Sequence, residues 1–154
     1  MVTHRRITTL VSLLTILLGA CVTTEDGQSV FGPSSLASFL TGSLSSASAG
    51  SPLPTTEACG DFSWTPSETV AGTYSGDFSA TCANDVQLDG TATGMLVGDV
   101  LNVTATGTAT PSNLPPCPFA MNGTARLVNG TIELVYNGTT CLGPISGTEI
   151  LTPS

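Results

Sequence analysis

Few side chains in this sequence could do chemistry. The only histidine is His4, there is no lysine, and the basic residues are Arg5, Arg6 and Arg126. Past the first few residues, a serine or cysteine nucleophile has no histidine or lysine to act as its base. A histidine-based metal site is excluded for the same reason. Carboxylates remain for acid–base work, and the candidates are Asp77, Asp85, Asp89, Asp99, Glu133 and Glu149. Asp77 and Glu133 fall on polar strand faces and read as solvated. Asn84, Asp85 and Asp89 offer oxygen ligands for a weak Ca²⁺ site, but their spacing is not that of an EF-hand loop, and ordinary turn chemistry accounts for them. No catalytic residue, metal or cofactor is therefore assigned. A carboxylate-based hydrolase stays as a distant reading.

The cysteines carry more information. Cys59, Cys82, Cys117 and Cys141 form no Cys-x-x-Cys pair, which argues against a redox or zinc-knuckle role. An even number in an exported chain implies disulfides, with three connectivities open. The hairpin register derived below selects Cys117–Cys141, leaving Cys59–Cys82.

Export is read from the N-terminus. Arg5 and Arg6 precede the short apolar run Leu10–Leu18, too short to span a bilayer as a helix, which needs roughly 20 apolar residues. The run ends in Leu18-Gly19-Ala20-Cys21, four residues that resemble the lipobox of bacterial lipoproteins. The resemblance implies cleavage before Cys21 and lipidation of its sulfur. Val22 is not the aspartate linked to inner-membrane retention, so the resemblance points to the outer membrane, with the leaflet left open. The domains expected are a signal peptide (residues 1–20), a lipidated Cys21 with a Ser/Gly/Pro-rich tether (21–57) and a disulfide-stapled β domain (58–154).

Charge narrows the partners. Only 9% of residues are charged, where a globular domain usually carries about 25%. After cleavage the chain has 11 acids and one base, Arg126. Such a surface repels nucleic acid and anionic headgroups. The partners expected are the membrane, through the lipid anchor, and an envelope or extracellular protein; the chain reads as a monomer.

Within the tether, Leu36, Phe39, Leu40 and Leu44 share a helical face, with Pro33 and Gly42 as start and stop signals. This segment reads as a marginal helix in a flexible linker, or as an amphipathic helix touching membrane, partner or the domain's own open end.

From about residue 57 the period becomes two. Val70, Gly72, Tyr74, Gly76, Phe78, Ala80 and Cys82 alternate with polar residues and read as one half-buried strand. A turn at Gly98-Asp99 pairs Leu96 with Leu101, Gly94 with Val103 and Ala92 with Ala105. A turn at Asn129-Gly130 pairs Leu127 with Ile132, Ala125 with Leu134 and Gly123 with Tyr136, and brings Cys117 near Cys141. Either pairing keeps the apolar set on one face, and a one-residue slip would scatter it. The Gly-Thr dipeptides at Gly72, Gly90, Gly107, Gly123, Gly130, Gly138 and Gly147 suit a curling sheet, or space for a ligand. The Asn-x-Thr tripeptides at Asn102, Asn122, Asn129 and Asn137 read, in a bacterial chain, as turn and strand-end residues.

The expected fold is all-β: a small antiparallel meander of about six strands, closed or half closed into a barrel. It resembles lipocalin-like and avidin-like barrels in architecture only. Trp64 and Tyr74 are the aromatics that could bind, with Trp64 alternatively plugging an open end. The function expected is a non-enzymatic, membrane-anchored lipoprotein presenting this domain for binding or a structural role in the cell envelope. The alternative is a small-molecule or lipid carrier.

Overall fold

The turns at Gly98-Asp99 and Asn129-Gly130 fix four consecutive strands, and the rest of the sheet follows from them. The computed structural model describes residues 35–154; the signal segment and Cys21 lie outside them. A single helical turn, α1 (Leu36–Phe39), precedes eight strands: β1 (Leu44–Ser46), β2 (Cys59–Val70), β3 (Thr73–Cys82), β4 (Val86–Val97), β5 (Val100–Thr110), β6 (Cys117–Val128), β7 (Thr131–Thr140) and β8 (Gly143–Pro153). All neighbours are antiparallel, and β1 joins β8 to β2 to close a barrel.

The β4–β5 pair carries Leu96 opposite Leu101, Gly94 opposite Val103 and Ala92 opposite Ala105. The β6–β7 pair carries Leu127 opposite Ile132, Ala125 opposite Leu134 and Gly123 opposite Tyr136. Both are the registers that the alternation requires. Cys117–Cys141 forms as the β6–β7 register requires, and the remaining pair, Cys59–Cys82, bridges β2 and β3.

Two strands escape the sequence reading, so the count is eight rather than six. Residues 70–82 are not one strand: Val70 ends β2, a turn follows at Ala71-Gly72, and β3 starts at Thr73. β2 hides because Pro66 reads as a breaker. It is tolerated because β1 meets β2 only at Ser63 and Trp64, so Pro66 lies where the outer edge of β2 has no partner strand. β1 is three residues long inside a Ser/Ala/Gly-rich stretch and shows no period. Residues 36–46, read as part of the tether, thus contribute α1 and β1 to the folded barrel. Leu36, Leu40 and Leu44 are buried in the barrel core, which is what holds so short a helix.

Inside, small and large residues alternate around the barrel. One row runs Phe78, Gly90, Gly107, Phe119 across β3 to β6. The two phenylalanine rings, 6.2 Å apart, lie inward over the glycines. A Cβ on Gly90 would fall 2.1 Å from the Thr106 carbonyl oxygen, and one on Gly107 would fall 2.1 Å from that of Asp89. These two glycines thus let the backbones of β4 and β5 approach more closely than a Cβ would allow.

Gly90→Ala should cost about 1–3 kcal/mol in urea denaturation, because the clash is with backbone and cannot be relieved by a rotamer change. Gly42→Ala, which meets nothing within 4 Å, should stay within about 0.5 kcal/mol of wild type. Equal stabilities for the two variants would refute the packing account.

Candidate functional site

Three places could carry function: the barrel interior, the seam where the barrel closes, and a cleft beside the Cys59–Cys82 bridge.

The interior is apolar and the outer wall is rich in threonine, serine and acids, the reverse of a membrane-spanning barrel. About eight strands enclose a space that side chains just fill or that admits one small ligand. Here Phe62, Trp64, Phe78, Met121 and Leu134 fill it, and Leu40 and Leu44 close the mouth above them. The remaining cavity is about 20 Å³, room for about one water. Trp64 and Tyr74, the two candidate binding aromatics, are both buried, each 5% exposed, so neither offers a surface contact. Trp64 lines the interior together with Leu40 and Leu44. Its indole Nε1–H is buried with no hydrogen-bond partner among the described residues.

The seam lies between β2 and β8. β1 pairs with both strands for only two or three residues, and past its end the two backbones have no strand between them. Side chains complete the closure. Tyr136 reaches from β7 beneath Gly147 of β8, where a Cβ would lie 2.5 Å from the hydroxyl. Its hydroxyl donates to the Cys59 carbonyl at 2.8 Å and accepts from the Cys59 N–H at 2.7 Å. The buried Ser46 hydroxyl oxygen accepts from the Phe62 N–H at 2.7 Å. Ser48 donates to Glu149 Oε1 at 3.1 Å. Glu149, one of the candidate carboxylates, is buried on the inner face of β8. Sequence reasoning gave it no special place, although its alternation with Leu151 puts it on the apolar face. Burial raises the Tyr136 pKa above its ordinary value of 10.0; the Cys59 backbone bond opposes the rise and the Glu149 charge adds to it.

The cleft, about 560 Å³, lies between residues 50–56 and the turn at Ala83–Asp85. Asp61, Asn84 and Asp85 line it, all three with left-handed backbone (φ 50°, 63° and 58°). The Asp61 carboxylate accepts from the Gly50 N–H at 2.5 Å and ties the loop down. The structure therefore separates the proposed oxygen-ligand set. Asn84 and Asp85 meet Asp61, which the sequence did not single out, whereas Asp89 sits on the outer wall of β4 in a shallow groove with Asp77, Ser63 and Ser79. Asp99 lies in the β4–β5 turn and Glu133 on the outer face of β7. Among the described residues no group of three or more His, Cys, Asp or Glu side chains comes together. No protein family, characterised protein or solved structure matches this chain.

Tyr136→Phe deletes the two bonds to Cys59 and strands its buried N–H, so a loss of about 1–3 kcal/mol is expected in urea denaturation at neutral pH. The pH dependence follows from the raised pKa. Above the unfolded value, near 10.0, the unfolded chain gives up its phenolic proton before the folded one. The Tyr136 contribution is thus complete below that pH and is lost as pH climbs through the folded value. Wild type should therefore lose stability above pH 10 more steeply than Y136F, and parallel curves would show that Tyr136 is not the group responsible.

Proposed function

We propose that this chain is a bacterial lipoprotein, anchored through lipid on Cys21, whose working part is the outside of a closed barrel. In this reading it is a binding or structural module of the cell envelope and not an enzyme. The observation that carries it is the filled interior: with about 20 Å³ left inside, what the protein offers a partner is surface. The Leu18-Gly19-Ala20-Cys21 lipobox resemblance supports the anchor. Two disulfides and a sheet closed on itself suit a rigid display unit outside the cytoplasm, where an open sheet edge invites aggregation.

Growth with an alkyne-tagged fatty acid tests the anchor. Wild type should take up the tag and sediment with membranes, and Cys21→Ser should do neither. A tagged Cys21→Ser protein, or an untagged wild type, would overturn the assignment.

One observation favours a second reading, a carrier of small apolar molecules. The unpartnered Trp64 Nε1–H lies in the barrel interior beneath Leu40 and Leu44, and displacing α1 would open that interior from above. Native mass spectrometry of protein gently extracted from its membranes separates the two readings. The surface reading expects the lipidated chain alone or bound to another protein. A small-molecule mass that is lost on denaturation would put the carrier reading first.

A further inference from the structure

Of the buried residues that make up the core, only Leu36 and Leu40 come from outside the strands. Both belong to the segment that carries α1, and that segment is held in its own way. Its backbone hydrogen bonds are local, from the Ser38 N–H to the Ser35 carbonyl and from the Leu40 N–H to that of Ala37. Its hydroxyls also turn back on it, Ser38 donating to the Ser35 carbonyl and Thr41 to that of Ser38. Among the described residues no hydrogen bond joins residues 35–42 to the barrel. Such bonds begin at Ser43, whose carbonyl accepts from the Ser154 N–H. A helix of four residues has no stability of its own, and Ser35 adds no side-chain cap. Apolar side chains therefore seat the segment, chief among them Leu36 and Leu40. Gly42, exposed and with nothing within 4 Å of the place of a Cβ, leaves the joint to β1 free to turn.

The register of β1 locates this segment. Leu44 faces Trp64 and Pro153, and Ser46 faces Leu151, so the chain enters at the end of β8 that is remote from Cys141. Leu40 and Leu44 lie there over a cavity whose lining residues are all apolar, and the Trp64 indole carries the one side-chain nitrogen or oxygen among them. That Nε1–H is buried without a partner among the described residues, a state that native proteins rarely leave unanswered. Water answers it poorly. A buried water needs about 2–4 polar partners, and the lining offers no second polar side chain. An apolar molecule with a single acceptor oxygen meets both conditions.

On the footing of the carrier reading above, we infer that residues 35–41 are a lid hinged at Gly42, and that the barrel beneath it takes an uncharged aliphatic molecule with one carbonyl acceptor. The hydrocarbon part takes the space that Leu36 and Leu40 now fill, and the carbonyl oxygen accepts from Trp64 Nε1–H. At interior packing density, two leucine side chains give way to about eight carbons. A carboxylate does not fit, because no cation lines the interior and an unpaired buried charge is strongly destabilising. With about 20 Å³ free when the lid is down, ligand and leucines compete for one space. Binding is weakened by the fraction of molecules whose lid is closed. A looser lid accordingly binds more tightly.

The test uses protein extracted from its own membranes into phosphatidylcholine vesicles. Methyl hexyl ketone is the probe, octane is the control that lacks an acceptor, and the activity of each is fixed by its vapour pressure. Trp64, the only tryptophan, reports binding through its emission. Wild type should bind the ketone, octane should bind at least about tenfold more weakly, and L40A should bind the ketone at least about tenfold more tightly than wild type. L40V, which trims the same contact less, should fall between them and decides the matter if L40A does not fold. Ketone binding that is the same in wild type, L40V and L40A would overturn the lid and leave the carrier reading standing. Equal binding of octane and ketone would overturn the role of Trp64 and with it the ligand class. Folded variants and wild type that all ignore the ketone would bring down the carrier reading and the inference together.

Discussion

Closing an eight-strand barrel with seven strands of full length and one of three residues leaves a gap, and the hydroxyl of Tyr136 fills it. The gap lies where β1 ends and β2 and β8 would otherwise face each other unpaired. By donating to the Cys59 carbonyl and accepting from its N–H, one phenol does what a further strand residue would do. Several residues take their identity from this. Gly147 must lack a Cβ so that the ring can pass. Cys59 is pinned from its other side by the bridge to Cys82, so the backbone that Tyr136 grips is itself fixed. Ser46 and Glu149 complete the same line of closure with polar groups at inward positions that elsewhere in the barrel are apolar, and exposed Ser48 donates to Glu149. A buried network of this kind holds one geometry because each unmade bond would cost the full desolvation of its group.

The interior obeys a complementary rule. Few large residues are available, so each aromatic ring needs a facing vacancy. Phe78 and Phe119 find theirs over Gly90 and Gly107, and Tyr136 lies between Gly123 and Gly147. Phe62 sits between them, its ring 5.6 Å from Phe78 and 5.1 Å from Tyr136. The Gly-Thr dipeptides therefore have an inward and an outward reason. Gly147 admits the Tyr136 ring, Gly90, Gly107 and Gly138 admit a neighbouring backbone, Gly72 and Gly130 serve left-handed turns, and threonine, branched at Cβ, keeps the strand extended while facing water. Most of the space so made is filled from within the chain, which is why a barrel wide enough for a ligand leaves only about 20 Å³.

Much of this is legible in the residues, for a physical reason. Where two strands are joined by a tight turn, one face must stay apolar across both, and only one register allows it. That constraint gives the β4–β5 and β6–β7 pairings, and the Cys117–Cys141 bridge follows from the second. The strands missed are those whose identity is set at long range. β1 is a strand only because β2 and β8 lie on either side of it. β2 contains a proline that its unpaired edge tolerates, an edge visible only once β1 is placed. The candidate sites divide in the same way. Spacing along the chain groups Asp89 with Asn84 and Asp85, but strand alternation carries Asp89 onto the outer wall. Asp61, 24 residues before Asp85, arrives beside it through the Cys59–Cys82 pairing. Glu149 was visible on the apolar face of its strand, yet nothing local says that Ser48 lies opposite it.

The division of the barrel into unlike ends follows from the same economy. A chain with so few charges and a threonine-rich wall has little on its sides to distinguish one partner from another. Distinctive chemistry collects where strands end, because loops alone escape the alternation that a packed sheet imposes. The disulfide end, where both bridges and the turn at Ala83–Asp85 lie, is the clearest case. That end holds the cleft lined by Asp61, Asn84 and Asp85, and three of the four non-glycine residues with left-handed backbone among the described residues. Such conformations persist only where the surroundings over-determine them. Here the Cys59–Cys82 bridge and the Gly50–Asp61 hydrogen bond are the fixings at hand. The stapled end thus holds the polar side chains of the cleft on backbone that the bridge and the hydrogen bond fix in place.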